Sequence, residues 1–185
     1  MKLKHMIVCA IFAALLCICS PISIPLGTIP ISLLVFAVLL CGLVLPWNFS
    51  FLSVLLFLLL SLCGLPVFSG GHSGVTALPG PTGGYIWSSL LVAPLVSLLS
   101  KKTPLSRLPI AGDIFACVAG VIVCYACGTV QFSLLAGRSI AESLAVCVFP
   151  FLLPDAMKVV AASLLAKPLR KLVQQQLILN SHRNL

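Results

Sequence analysis

A chain of 185 residues that is 61% hydrophobic and only 8% charged lacks the polar surface of a water-soluble domain, in which roughly a quarter of residues are charged. Its mean hydropathy of +1.23 comes from long apolar runs without strand-like alternation, which excludes a transmembrane β-barrel and points to an all-α polytopic membrane protein. The formal charge of +8 has no groove of interleaved aromatics outside those runs, so the partner it suggests is the lipid bilayer and not nucleic acid.

About 20 apolar residues cross a bilayer as a helix, and the runs predict six transmembrane helices in one domain, residues 1–185. Lys2 and Lys4 precede the first run, from about Met6 to Ser20. A signal peptide has the same layout, but no A-x-A cleavage pattern follows, and a span is the better reading. Ala10 and Ala14, with Ala13 beside them, form an A-x-x-x-A of the kind that lets a second helix approach closely in lipid. The proline-rich SPISIPLGTIPIS (20–32) reads as a short external connection. Spans follow at about Ile31–Leu45 and Phe49–Cys63, joined by Pro46-Trp47-Asn48, a tight turn with an interfacial tryptophan.

Between the third and fourth spans lies GLPVFSGGHSGVTALPGPTGGYIW (64–87), which holds seven of the thirteen glycines. Glycine permits positive φ and close backbone approach, and proline fixes the bends between such turns. This Gly/Pro-rich external loop reads as a lid or cradle over a small molecule at one face of the bundle. The fourth span runs from about Gly84 to Leu99, the fifth from about Ala111 to Val130, and the sixth from about Ile140 to Ala166. With the N- and C-termini cytoplasmic, nine of the eleven basic residues fall on the inside, as the positive-inside rule requires. Arg138 lies outside and Lys158 lies within a span.

The nine cysteines are odd in number and sit mostly in apolar runs. Cys124 and Cys127 form a C-x-x-C, but zinc needs two further ligands, so small apolar packing residues are expected and no metal. Asp155 and Lys158 are different. A charge at the centre of a membrane helix costs about 2.5–3.5 kcal/mol, and Asp155 stands about 12 residues, roughly 18 Å, from the basic end of the last span. Spaced i, i+3, the two share a helix face. They read either as a self-neutralising pair that locks helix packing or as a polar ligand site facing the bundle interior. Pro150 and Pro154, which would free backbone carbonyls in the preceding turns, favour the ligand site. Asp113 is expected to cap the fifth helix. Glu142 is expected to favour the first turn of the sixth. Arg138 is an external loop charge or a partner for Glu142 or an anionic substrate.

GLPVFSGG (64–71), GPTGGY (80–85) and PFLLPDAMK (150–158), with the early ISIPLGTIPIS (22–32), resemble the BioY family. These are the biotin-binding S components of energy-coupling factor (ECF) transporters, and the likeness covers nearly the whole chain. It implies six helices and a substrate, biotin, held near the external side beneath the loops. It also implies a transmembrane coupling protein and two ATPase subunits as partners, with Ala10 and Ala14 docking the coupling protein. Asp155 and Lys158 match the family's late polar pair, and Gly83, Gly84 and Tyr85 its glycine–aromatic element. Thr82, Gly70, Gly71 and His72 complete the expected substrate contacts, although His72 stands where the family loop is more variable. Asp155 can accept from the ureido N–H groups of biotin. Lys158 can meet the ureido oxygen or the valerate carboxylate, and Tyr85 and Trp87 offer faces for the thioether ring.

No Walker A pattern, GxxxxGK[ST], occurs, so ATP would be used by partner subunits, and no cofactor or enzymatic activity is expected. The alternatives within transport are a standalone biotin facilitator and an S component for another vitamin. From another class comes an intramembrane serine protease, on the strength of Gly71-His72-Ser73-Gly74. It needs a base near Ser73, and the remaining histidines, His5 and His182, lie at the far ends of the chain.

Overall fold

The computed structural model describes residues 3–24, 30–102 and 109–179. Its axis is the shortest of the apolar spans, α2 (Leu34–Val44), nine of whose eleven residues are buried. Around it stand α1 (Leu3–Cys19), α3 (Trp47–Leu62), α5 (Gly83–Lys102), α6 (Pro109–Ala136) and α8 (Leu152–Leu179). Helix α2 packs chiefly on α8 and α5, while α5 lies along α6 and α1 along α3. Close approach is bought by small residues: a Cβ on Gly42 of α2 would lie 2.5 Å from the Ala93 carbonyl oxygen of α5, and one on Gly120 of α6 would lie 2.7 Å from Val96. Several buried hydroxyls bond within their own helix, with Ser53 donating to the Phe49 carbonyl at 2.9 Å and Ser163 to that of Val159 at 2.8 Å, while Ser97 of α5 reaches across to the Leu45 carbonyl at 2.7 Å. Such bonds satisfy a hydroxyl in lipid without water.

Three stretches, Gly83–Lys101, Ile110–Ala136 and Ile140–Gln175, are long and apolar enough to cross a membrane, and α1, α2 and α3 are shorter apolar helices. Ile11, Ile122 and Leu164 are more than half exposed on the outside of the bundle, as lipid-facing side chains are. The six expected spans and the Gly/Pro-rich loop between the third and fourth are present in this all-α membrane architecture.

Four features differ from the sequence expectation. The connection after α1 is a two-stranded hairpin, β1 (Ser23–Ile24) antiparallel to β2 (Ile31–Ser32), in which Ser23 faces Ser32. The glycine-rich loop contains a 3₁₀ turn at Ser69–Gly71 and a single helical turn, α4 (Gly74–Ala77). The sixth span is broken. A capping box between Ser139 and Glu142 starts α7 (Ile140–Cys147), Val148 leaves the helical region, and a 3₁₀ turn at Phe149–Phe151 leads into α8. Pro150 and Pro154 therefore occupy first turns, where a missing N–H costs nothing, instead of interrupting a continuous helix; Asp155 lies in the first turn of α8.

The fourth difference concerns Asp113, which does not cap a helix. It lies inside α6, 3% exposed, and receives a two-pronged contact from Arg170 of α8, with Nη1 to Oδ2 at 2.9 Å and Nη2 to Oδ1 at 2.8 Å. Arg170 also donates from Nη2 to Ser100 Oγ at 2.9 Å and from Nε to the Leu43 carbonyl at 2.7 Å. The last turn of a helix leaves carbonyls without partners, and here a guanidinium supplies one while joining α2, α5, α6 and α8.

Candidate ligand-binding site

The start of α8 sets the site. Asp155 and Lys158 are one turn apart and point the same way; Lys158 Nζ donates to Asp155 Oδ1 at 2.7 Å. Both are buried, 4% and 8% exposed. From α6, the Tyr125 hydroxyl donates to the other carboxylate oxygen, Oδ2, at 2.6 Å. These three groups line a cavity of about 480 Å³, a volume suited to a small organic ligand.

The walls come from five parts of the chain. Ser20 precedes the hairpin, to which Pro30 and Ser32 belong; Leu34 and Val35 open α2, and Phe68, Ser69, Gly70, His72 and Thr76 belong to the glycine-rich loop; Tyr85 and Ile86 come from α5, and Phe151 precedes α8. The loop is held firmly. Phe68 stands edge-on to Phe57 of α3, with ring centroids 5.5 Å apart. Gly70 and Gly71, at φ +75° and +76°, turn the chain so that Phe68 N–H donates to the His72 carbonyl at 3.0 Å. Gln131 of α6 donates to the carbonyls of Leu78 and Gly80, each at 2.9 Å. The hairpin joins this loop through a hydrogen bond between the hydroxyls of Ser23 and Ser69.

Of the residues expected to contact substrate, Asp155, Lys158, Tyr85, Thr82, Gly70 and His72 line the cavity, while Gly71, Gly83 and Gly84 do not. Gly83 and Gly84 are buried behind it. A Cβ on Gly83 would run into the Leu78 carbonyl oxygen, and one on Gly84 would lie 2.6 Å from that of Cys127. These two glycines let α5 meet the loop and α6. Tyr85 has a second contact, donating from its hydroxyl to the Cys147 carbonyl at 3.2 Å, where α7 ends. Trp87 is 46% exposed and outside the cavity, and Ala10 and Ala14 lie on an exposed face of α1. Ser73 does not line the cavity; it precedes α4, and no histidine–serine hydrogen bond joins it among the described residues. His5 stacks on Phe49 with ring centroids 4.7 Å apart, and His182 lies outside the described residues.

Tyr125 escaped the sequence reading. Its signal was a phenol in an otherwise apolar span, since a hydroxyl buried in hydrocarbon requires a partner. The two sequence readings of Asp155 and Lys158 also turn out to be compatible: the pair neutralises itself and faces a cavity. One of three ammonium donors is used, and each carboxylate oxygen accepts one protein donor among the described residues. Two donors and two acceptor positions are left for a guest.

A membrane-embedded helix bundle that encloses a small polar site beneath two tethered loops belongs to the class of membrane-integral solute-binding proteins. The sequence profile of the BioY family matches residues 1–175, and the chain belongs to that family. It is 36% identical over 170 residues to the biotin transporter BioY of Thermotoga maritima, covering 92% of this chain and 98% of the relative. It is 34% identical over 170 residues to the probable biotin transporter BioY of Pyrococcus horikoshii, with the same coverage. The fold is also similar to a crystal structure of the S component for biotin from an ECF-type ABC transporter, with a TM-score of 0.84, 28% identity and 92% of each chain covered.

Proposed function

We propose that this protein takes up biotin as the membrane-embedded S component of an ECF transporter. It captures the vitamin at the external side and delivers it across the membrane with an ATP-driven coupling module. It is a transporter subunit and not an enzyme. The observation that carries the reading is the buried Asp155–Lys158 pair lining a cavity of about 480 Å³ in a BioY-family chain. The ureido ring of biotin presents two N–H donors and one carbonyl acceptor. Asp155 accepts from one ureido N–H, and Lys158 meets the ureido oxygen or the valerate carboxylate. Phe68, Tyr85, Ile86 and Phe151 supply apolar contact for the ring and chain.

The N- and C-termini are placed in the cytoplasm, with the loops and cavity on the external side. The partners are a transmembrane coupling protein and two ATPase subunits, and the exposed Ala10–Ala14 stripe on α1 is assigned to the coupling protein. Uptake of radiolabelled biotin by cells lacking their own transporter tests the whole reading. Accumulation that requires both this chain and the coupling module supports it. Accumulation without the module would establish a standalone facilitator, and none under either condition would overturn biotin uptake.

A further inference from the structure

Among the described residues that line the cavity, Lys158 and His72 carry the basic nitrogens, and they stand at different depths. Lys158 is 8% exposed and Asp155 4%, so the ion pair forms the buried end. His72 belongs to the glycine-rich loop and is exposed, which puts it at the open end. Its ring lies over Gly70, where a Cβ would come within 3.3 Å of the imidazole.

The ion pair presents an acceptor and a donor side by side, with Lys158 Nζ 2.7 Å from Asp155 Oδ1. Each N–H of a five-membered cyclic urea lies on the same side of its C–N bond as the carbonyl oxygen. One N–H and that oxygen therefore make a donor–acceptor edge, which matches Oδ1 and Nζ; the second N–H points away beyond the carbonyl. The valerate chain leaves from the other ring of biotin, so its carboxylate comes toward the open end. An anion withdrawn from water there needs a donor. Thr76 and Tyr85 already donate their hydroxyls to the Ser73 and Cys147 carbonyls, and Tyr125 donates to Asp155. The imidazole of His72 makes no hydrogen bond with the described residues, and its N–H is free for a carboxylate.

We infer that His72 holds the valerate carboxylate while the Asp155–Lys158 pair takes one edge of the ureido ring. His72 thereby sets a preference for the free acid over neutral derivatives of the same length. The inference rests on the biotin reading given above and deepens it, because it assigns Lys158 to the ureido oxygen.

The test is calorimetric titration of biotin and its primary amide into the detergent-purified wild type, His72→Phe, His72→Lys and Lys158→Met. The wild type is expected to prefer biotin. His72→Phe is expected to weaken biotin by about tenfold or more, since a hydrogen bond to a charged group is lost, and to weaken the amide less. The preference therefore narrows, and His72→Lys, which restores a donor and a charge, is expected to widen it again. Lys158→Met is expected to weaken both ligands alike. His72→Ala repeats the comparison should His72→Phe not fold. Unchanged biotin affinity without His72, or equal losses for biotin and amide, would overturn the inference. So would a preference lost in Lys158→Met and kept in His72→Phe, which would place the carboxylate on Lys158. A folded wild type that binds no biotin would instead overturn the biotin reading itself.

Discussion

At the scale of single residues, two ion pairs do different work at opposite ends of α8. Arg170 lies 12 residues beyond Lys158, about 18 Å along the helix, and it neutralises a buried Asp113. Arg170→Ala would leave that carboxylate buried and unpaired and the Leu43 carbonyl without its donor. Breaking a buried pair from one side costs about 3–5 kcal/mol, and the 28% exposure of the arginine side chain lowers the expected loss to about 2–3 kcal/mol. Thermal unfolding is expected to register that loss while biotin affinity stays within about twofold. A large affinity change with unchanged stability would contradict the separation of the two ends. The glycines divide in the same manner. Gly71→Ala meets open space at φ +76° and is expected to cost about 1–2 kcal/mol of strain. Gly83→Ala places a methyl group against the Leu78 carbonyl oxygen and is expected to abolish folded yield in a detergent expression screen. From the sequence these glycines looked alike, because composition conveys neither φ nor what stands opposite.

At the scale of elements, legibility followed local signals. Asp155 and Lys158 were legible because a charge in an apolar run is costly and must have a use. The break between α7 and α8 was hidden, since hydropathy runs on through Val148, Phe149 and Phe151 while the backbone turns. Its local trace was Pro150 and Pro154, residues that favour the first turn of a helix, whereas the capping box of Ser139 and Glu142 marks only where α7 begins. The Asp113–Arg170 contact spans 57 residues, and no window of sequence brings them together. Helix α7 is short, and its described hydrogen-bonded tie to α5 is the Tyr85 hydroxyl on the Cys147 carbonyl. Tyr85→Phe is therefore expected to loosen α7 by about 1 kcal/mol, seen as faster amide exchange confined to residues 140–151. Unchanged exchange there would mean that the tie carries no weight.

At the scale of the whole molecule, the cavity sits where the hairpin, the glycine-rich loop and the starts of α5 and α8 converge, and the Arg170 network closes the other end of the bundle. This polarity matches the distribution of basic residues in the sequence. Cys63, which follows α3 at the loop end, is exposed, whereas the other eight cysteines are buried or half-buried. A membrane-impermeant maleimide applied to intact cells is expected to label Cys63 and to lose that label in Cys63→Ser. Labelling only after the membrane is opened would invert the orientation.

The central claim, that the Asp155–Lys158 cavity holds biotin, is tested most directly by calorimetric titration of biotin into the purified wild type, Asp155→Asn and Lys158→Ala. Thiamine and riboflavin serve as comparators. Selective biotin binding by the wild type, weakened at least about a hundredfold in both folded variants, is the predicted result. Wild-type affinity in both variants would place biotin elsewhere in the bundle and contradict the account.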